Sequence, residues 1–312
     1  MVGRTYRLSP EKFHNVWDNS LKPALEIAPG DTVVFDLQDV SGGTILPSSK
    51  AEDLQRREPN KMYPLGGPIY VRDAKPGDSL EVNILALTPG DWGWSGFMPE
   101  RGLLPEEFPY CYIKHWDLSN HKSTKFKPGL VLPLDPFCGT MGVAPRDPGP
   151  HSTRPPDIFG GNMDIRHLTA GSTLFLPVQV EGALFSCGDC HSAQGDGEVC
   201  LTGIESPMLV KLRFKLRKGK SIPLPQFTTT GPLTRKYDSK GYYATTGINP
   251  DLLNSAKMAV HNMIEYLTLN HGLTRDEAYI LCSVAADLKI SELVDKPNYL
   301  VSCYLPLNIF HH

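Results

Sequence analysis

One short stretch of the chain concentrates side chains that can do chemistry. It runs from Ser186 to Glu198 and reads SCGDCHSAQGDGE. Asp189, His191 and Asp196 lie within it, and its glycines allow a tight turn in which such groups converge. Carboxylates and an imidazole that face one point can bind a divalent metal ion or act as a general acid and base. From the residues alone, a solvated turn rich in Gly and Asp is the alternative.

Acidic and imidazole side chains elsewhere in the chain could complete such a site. Asp164 ends a Gly-Gly-Asn-Met-Asp segment, where the paired glycines predict a backbone bent to present side chains. Asp39, Glu205 and His14 are the other candidates. Oxygen ligands combined with one or two histidines favour zinc, whereas carboxylates alone favour calcium.

The stretch also contains a literal C-x-x-C-H pattern, from Cys187 to His191, which is typical of c-type haem attachment. We expect no haem, because that attachment needs export and the polar N-terminal segment contains no export signal. A zinc site formed by Cys187, Cys190, His191 and Cys200 is a second alternative. A cysteine nucleophile is a third, although strand neighbours such as Cys190 and His191 point apart.

The elements that position this stretch are predicted to be strands. A turn precedes an apolar or β-branched run at residues 29–37, 76–85 and 170–178. Their irregular spacing favours hairpins of a sandwich or barrel over a repeat protein. The run from Leu174 to Val180 is predicted to be a buried strand, and the chemical stretch is predicted to be the turn after it.

Residues 88–130 carry many aromatic side chains with little periodicity, among them Trp92, Trp94 and Tyr112. We predict a long loop that gives a small binding pocket an apolar wall. No basic cluster lies near the chemical stretch in the sequence, where Arg166 and His167 are the nearest cations after Asp164. The expected ligand is therefore small and neutral.

Two helices are predicted in the last third of the chain. Asn249 is the predicted N-cap of the first, which runs to about Asn270. Thr274 and Glu277 are predicted to form the capping box of the second. A final strand is predicted at residues 299–305.

These patterns predict a mainly β, sandwich- or barrel-like fold with an α+β C-terminal part. Residues 1–210 would form the β-rich body that carries the candidate metal site. Residues 211–312 would form the α+β region packed on that body. A chain of 312 residues is long enough for this division.

Composition restricts the class of protein. The net charge of −3 and the pI of about 6.4 favour neither nucleic acid nor an anionic membrane surface as a partner. No apolar run is long enough to span a membrane. An odd number of cysteines, 7, favours reduced thiols, and with the polar N-terminus it predicts a cytoplasmic protein.

The chemical stretch resembles the G-D-x-H-x-x-Q-G-D-G-E motif of the acetamidase/formamidase family. The matching residues are Gly188, Asp189, His191, Gln194, Gly195, Asp196, Gly197 and Glu198. Four other segments resemble family segments: residues 14–17, 67–71, 139–145 and 160–164. The resemblance extends from about residue 8 to residue 310.

This resemblance implies an enzyme that hydrolyses a short amide, such as formamide or acetamide, to a carboxylate and ammonia. It also implies a β-rich fold with a C-terminal α/β part and a homodimer or higher homo-oligomer. We predict a divalent metal, zinc in the first place and calcium in the second, as the cofactor. A non-enzymatic protein that binds a small ligand or a metal is the alternative function.

The candidate site residues divide into two roles. The predicted metal ligands are Asp164, Asp189 and His191, with Asp39 and Glu205 as further candidates. Glu198 is the predicted general base, which would take a proton from water and return it to the leaving ammonia. Asp196 and His14 are the other candidate catalytic residues.

Overall fold

The computed structural model describes residues 3–56, 58, 61–234 and 236–311. Met1 and Val2, which begin the polar N-terminal segment, lie outside that range. The described chain is mainly β, with two helices in its C-terminal part, so the predicted fold class is confirmed. None of the described helices is long and apolar enough to cross a membrane.

The body contains two large sheets. The first has the strand order β1-β4-β15-β6-β13-β16. Its strands are β1 (Thr5–Leu8), β4 (Thr32–Leu37), β6 (Ser79–Pro89), β13 (Thr173–Pro177), β15 (Met208–Arg217) and β16 (Gln226–Thr228). The second has the order β12-β11-β14-β5-β2, and β3 also pairs with β5. Its strands are β2 (Phe13–His14), β3 (Leu25–Ile27), β5 (Leu65–Val71), β11 (Phe137–Gly142), β12 (Gly160–Asn162) and β14 (Phe185–His191).

A hydrophobic core joins these two sheets. In β15, Met208, Val210, Leu212 and Phe214 are buried, whereas the residues between them are exposed, as expected for a strand with one face in a core. The rings of Phe214 and Phe185 approach edge to face, with centroids 5.0 Å apart. Strand β14 is different, because all of its residues are buried between β11 and β5.

A second core lies under the C-terminal helices. It is formed by α1 (Leu252–His271), α2 (Arg275–Ala285) and a sheet of order β17-β19-β18. The strands of that sheet are β17 (Tyr242–Asn249), β18 (Asp287–Glu292) and β19 (Tyr299–Pro306). Two hairpins from the body pack against the same core, β7 (Trp92–Phe97) with β8 (Tyr112–Asp117) and β9 (Ser123–Lys127) with β10 (Leu130–Pro133).

The structure corrects two predictions in the body. The chemical stretch begins as strand β14 and is not a turn that follows the run from Leu174, because Phe185–His191 pairs with β11 and β5. Residues 88–130 contain the three strands β7, β8 and β9 and are not one long loop. The division into two regions stays a prediction, but a boundary at residue 210 would cut β15, which pairs along its length with β4 and β6.

The helix ends show which capping signals were correct. The capping box of Thr274 and Glu277 is present, so the start of α2 is confirmed. Helix α1 is capped by Asp251 and not by Asn249, because Asn249 is the last residue of β17. The Oδ1 atom of Asp251 accepts the N–H of Asn254 at 2.8 Å.

Candidate active site

Asp189 and His191 lie at the end of β14, where the strand meets β11. The two strands are antiparallel, with Phe137 opposite His191. The rings of Phe137 and His191 meet at a right angle, with centroids 5.2 Å apart. Burial of β14 on both faces therefore fixes the imidazole, whose side chain is 1% exposed.

Two later segments bring further carboxylates to this imidazole. The chain turns back after His191, because Ser192 N–H donates to Ile204 O at 2.8 Å and Ile204 N–H donates to Ala193 O at 2.8 Å. Glu205 consequently lies beside His191, and the loop between them carries Glu198.

Asp164 reaches the site from the segment after β12. Its backbone N–H donates to the carbonyl oxygen of Gly139 in β11 at 3.1 Å. Its carbonyl oxygen accepts the Nε2 amide of Gln194 at 3.0 Å. The Gly-Gly-Asn segment therefore brings Asp164 to the site as predicted, and hydrogen bonds from its backbone to Gly139 and Gln194 hold it there.

Four carboxylates surround the imidazole of His191. Its Nε2 atom lies 3.4 Å from Asp189 Oδ1, 3.8 Å from Glu198 Oε1 and 3.1 Å from Glu205 Oε2. Its Nδ1 atom lies 3.7 Å from Asp164 Oδ1. Two overlapping groups could each hold a metal ion, Asp164 with Asp189 and His191, and His191 with Glu198 and Glu205.

Hydrogen bonding leaves several of these ligand atoms without a partner. His191 Nδ1 pairs with Gln194 Oε1 at 2.7 Å, which directs Nε2 towards the carboxylates. Nε2 of His191, Oε2 of Glu205 and Oδ1 of Asp164 are buried and have no hydrogen-bond partner. Buried polar atoms are costly when unpaired, so this donor set fits a bound cation.

The backbone at this site is strained. Asp164, Asp189 and Glu198 have φ values of 49°, 53° and 44°, in the left-handed region that ordinary residues rarely adopt. Tyr63, at the same site, has a φ of 54°. Strain of this kind concentrates at functional sites, where the surrounding structure enforces it.

Two glycines leave room for the imidazole and its neighbours. A Cβ atom on Gly139 would lie 2.4 Å from Asp164 Oδ1 and 3.2 Å from His191 Cε1. A Cβ atom on Gly203 would lie 2.9 Å from His191 Cγ. Any larger residue at either position would displace the groups that meet at His191.

Burial and mutual repulsion shift the protonation of the cluster. Burial raises the pKa of Asp164 and of Glu205 to about 7 in each case, although His191 opposes both shifts. Burial and the charge of Asp164 raise the pKa of Glu198 well above its usual value. Burial lowers the pKa of His191, but the carboxylates of Glu205 and Asp189 outweigh that effect and raise it overall. Without a cation, the cluster therefore holds protons that a metal ion would displace.

A cavity of about 110 Å³ opens onto the cluster. Its lining residues are Val40, Tyr63, Met98, Arg101, Arg154, Asn162, Asp189, Glu198, Leu201, Thr202 and Glu205. The expected apolar wall of tryptophans is wrong, because neither Trp92 nor Trp94 lines this cavity. The expectation of no nearby cation is also wrong, because Arg101 and Arg154 arrive from loops that are distant in the sequence.

Three of the candidate residues lie outside the cluster. Asp39 is buried with its oxygens bound by Trp94 Nε1 at 2.7 Å and Ser41 Oγ at 2.8 Å, which fits a structural role. Asp196 turns towards His167, 3.9 Å away, and its backbone N–H donates to Asp287. His14 pairs with Ser186 Oγ at 2.8 Å, and its burial lowers the pKa of the imidazole to about 4.

The cysteines of the stretch face the core of the body. Cys187 and Cys190 are 0% exposed, and Cys190 Sγ lies 3.5 Å from Sγ of Cys138 on β11. Cys200 belongs to the second core. No group of metal-ligating atoms found among the described residues includes a cysteine.

Comparison with known proteins gives a consistent result along the chain. The model of the acetamidase/formamidase family matches residues 3–154 and 147–312. A formamidase from Methylophilus methylotrophus is 28% identical over 368 residues, covering 96% of this chain and 89% of that protein. A gamma lactamase from Delftia acidovorans has a TM-score of 0.90 at 28% identity, covering 99% of this chain and 93% of its own. An acetamidase from Bacillus halodurans is 32% identical with a TM-score of 0.69, covering 97% of both chains.

Proposed function

Because the chain belongs to the acetamidase/formamidase family and is an amidase, we propose that it hydrolyses a short aliphatic amide with the help of a bound divalent metal ion. The products would be a carboxylate and ammonia. Family membership removes the alternative of a protein without enzymatic activity. Formamide and acetamide are the first substrates to consider, since relatives are named formamidase and acetamidase.

The observation that supports the metal is the set of buried, unpartnered ligand atoms around His191. His191 Nε2 and oxygens of Asp164, Asp189 and Glu205 are the proposed ligands. One imidazole and several carboxylates suit zinc, with calcium as the alternative for an oxygen-rich site. A bound ion would polarise the amide carbonyl and make water easier to deprotonate.

Glu198 is the proposed general base. It is the least enclosed carboxylate of its metal-binding group, with a side chain 19% exposed against 2% for Glu205, and it lines the cavity. A carboxylate with a raised pKa can take a proton from the attacking water and later return it to the leaving nitrogen. Such a transfer is needed because the nitrogen of the substrate leaves as neutral ammonia, NH3, and not as the strongly basic anion NH2⁻.

Tyr63 and Asn162 are further cavity residues that sequence reasoning did not assign. Burial, followed by repulsion from Asp189, raises the pKa of Tyr63, which keeps its hydroxyl protonated and able to donate. We assign it to binding the carbonyl oxygen. Asn162 Oδ1 accepts the hydroxyl of Thr140 at 2.8 Å, which leaves its amide group as a donor.

The small cavity supports a substrate of few atoms. The uncharged amide group of the substrate is expected to bind at the carboxylate cluster, because the cluster would repel a negatively charged group. The prediction of a wholly neutral substrate depended on the absence of nearby cations, so Arg101 and Arg154 remove its basis.

The cellular setting stays a prediction. None of the cysteines in the described chain forms a disulfide, which supports the proposed cytoplasmic location. The homo-oligomer is proposed from the resemblance alone, and light scattering of the purified protein would test it.

Ammonia release from formamide and acetamide is the direct test of this function. We expect release by the metal-loaded protein, its loss after a chelator, and its recovery on adding zinc back. No release from either amide with metal bound would contradict the proposed substrates. Full activity after verified metal removal would contradict the metal.

A further inference from the structure

The cavity is divided by charge. At its closed end lie Asp189 and Glu205, which are 3% and 2% exposed, together with Glu198. At its open side lie Arg101 and Arg154, which are both exposed. A ligand that fills the cavity therefore meets carboxylates at one end and guanidinium groups at the other.

The two arginines have no carboxylate of their own. Within the part of the chain that the structure describes, neither guanidinium has an ion-pair or hydrogen-bond partner. Arg7, Arg72 and Arg275, by contrast, each face a carboxylate. The Arg154 guanidinium lies 5.9 Å from the ring centre of Tyr63, which holds it beside the cavity.

We propose that Arg101 and Arg154 form a carboxylate subsite, so that the preferred substrate is the monoamide of a short dicarboxylic acid. This inference rests on the proposed amidase function of the same cavity. The guanidinium fork binds a carboxylate through two parallel N–H donors, which suits a group at the far end of the substrate.

Charge also sets the orientation of such a substrate. The acidic cluster repels the carboxylate end and accepts the uncharged amide end, while the arginines attract the carboxylate. The cavity of about 110 Å³ limits the chain between the two ends to a few atoms. Malonamate and succinamate have this composition.

The test compares succinamate with succinamide, which replaces the carboxylate by a second amide. We expect kcat/KM to be at least about tenfold higher for succinamate, mainly through a lower KM, since a charge-assisted pair contributes substantially to binding. Arg101→Ala and Arg154→Ala should each lower the ratio of the two kcat/KM values by about tenfold or more. Arg154→Lys should restore part of it, because it keeps the charge and loses the fork.

Arg146→Ala is the matched control, since Arg146 is exposed in the same loop region but does not line the cavity. The ratio of its kcat/KM values for succinamate and succinamide should equal that of the wild type. Melting curves would verify that each variant folds.

Binding separates this inference from the proposed function. Calorimetry with the Glu198→Gln protein, in which turnover should be slow, measures the binding affinity for succinamate and for succinamide. Tighter binding of succinamate that is lost in the arginine variants supports the subsite even if no amide is hydrolysed. Hydrolysis of acetamide with no preference for succinamate, and a ratio unaffected by Arg101→Ala and Arg154→Ala, overturns the subsite and leaves the amidase intact. Absence of any succinamate binding also overturns it.

Discussion

His191 Nε2 and Glu205 Oε2 lie 3.1 Å apart, buried, without the alignment of a hydrogen bond. An imidazole nitrogen and a carboxylate oxygen at this separation can bind the same cation. The other imidazole nitrogen is already occupied by Gln194. The pair therefore fits the proposed coordination of a metal ion, and without the ion it forms an ion pair when the imidazole is protonated.

Replacing Glu205 by Gln should weaken metal binding by about tenfold to a hundredfold or more, because loss of an outer-shell partner alone has an effect of this size and Glu205 is a proposed ligand. The amide keeps the size of the side chain and removes its charge. Metal content by atomic emission, after dialysis against graded chelator, measures the change. Glu181→Gln is the control, because Glu181 lies in an exposed turn; an equal loss there, or none in Glu205→Gln, would contradict the role of Glu205.

Glu198→Gln should lower kcat by about 10²-fold or more, because the amide cannot carry the proton. Metal content should change little if His191, Asp164, Asp189 and Glu205 hold the ion. Steady-state kinetics with acetamide and the same metal assay measure both effects. Unchanged kcat would exclude Glu198 as the base, whereas loss of the metal would make it a ligand.

The pH dependence of the metal-free protein follows from the pKa values of Asp164 and Glu205, both raised to about 7. The folded protein then binds more protons than the unfolded chain, so these groups stabilise the fold fully below about pH 4, and that contribution is lost as pH rises to about 7. Asp164→Asn removes one such group. The melting temperature of this variant minus that of the wild type, both measured in chelator, should increase between about pH 4 and pH 7. A difference that is constant with pH would show that Asp164 titrates normally.

Gly139→Ala should greatly reduce metal binding and activity, and it should also lower the melting temperature, because the added methyl group meets both a ligand side chain and the backbone. The new Cβ atom would lie 2.4 Å from Asp164 Oδ1, whose carboxylate can move, and 2.9 Å from the backbone oxygen of Asp189, which can move less. Gly203→Ala presses on the imidazole ring of His191 and should have the same effect. Metal content and melting temperature, measured on both variants, separate the local effect from misfolding; full metal content in both would contradict the close packing.

The sequence predicted most of the side chains that meet at the site, but not the element that carries them. The chemical stretch mixes Gly, Cys, Asp and His without alternation, so it lacks the pattern of a strand. In the structure, β14 is central and buried on both faces, and its polar groups are used within the site. A strand that is buried on both faces has no alternation of apolar and polar residues to detect.

The sequence also could not predict which distant loops meet at the cavity. Arg101, Arg154 and Tyr63 belong to three separate segments, and no local spacing connects them. Asp39 and His14 were predicted to belong to the site because of their residue types. In the structure they instead bond to Trp94 and Ser186, partners that no sequence spacing indicates. Asp196 matches the family motif, yet it joins the loop to β18 through Asp287.

The two cysteines of the C-x-x-C-H pattern are core residues. Cys187 and Cys190 are fully buried in the core between the two large sheets, and neither approaches the cavity. Replacing both by Ala should keep amidase activity within about tenfold, because neither thiol has a role in binding or proton transfer. It should nevertheless lower the free energy of unfolding by roughly 1 kcal/mol for each deleted sulfur, as for other small cavities in a core.

Denaturant unfolding and acetamide kinetics on the double variant test both parts. Cys111→Ala is the control for stability, since Cys111 is only partly buried, and its unfolding free energy should change less. Loss of activity together with release of the metal would instead assign the metal to the thiols. A strong haem band in the visible spectrum of the wild-type protein would assign the two thiols to haem attachment. We expect no such band, because Cys187 and Cys190 lie in a core already filled by side chains of both sheets.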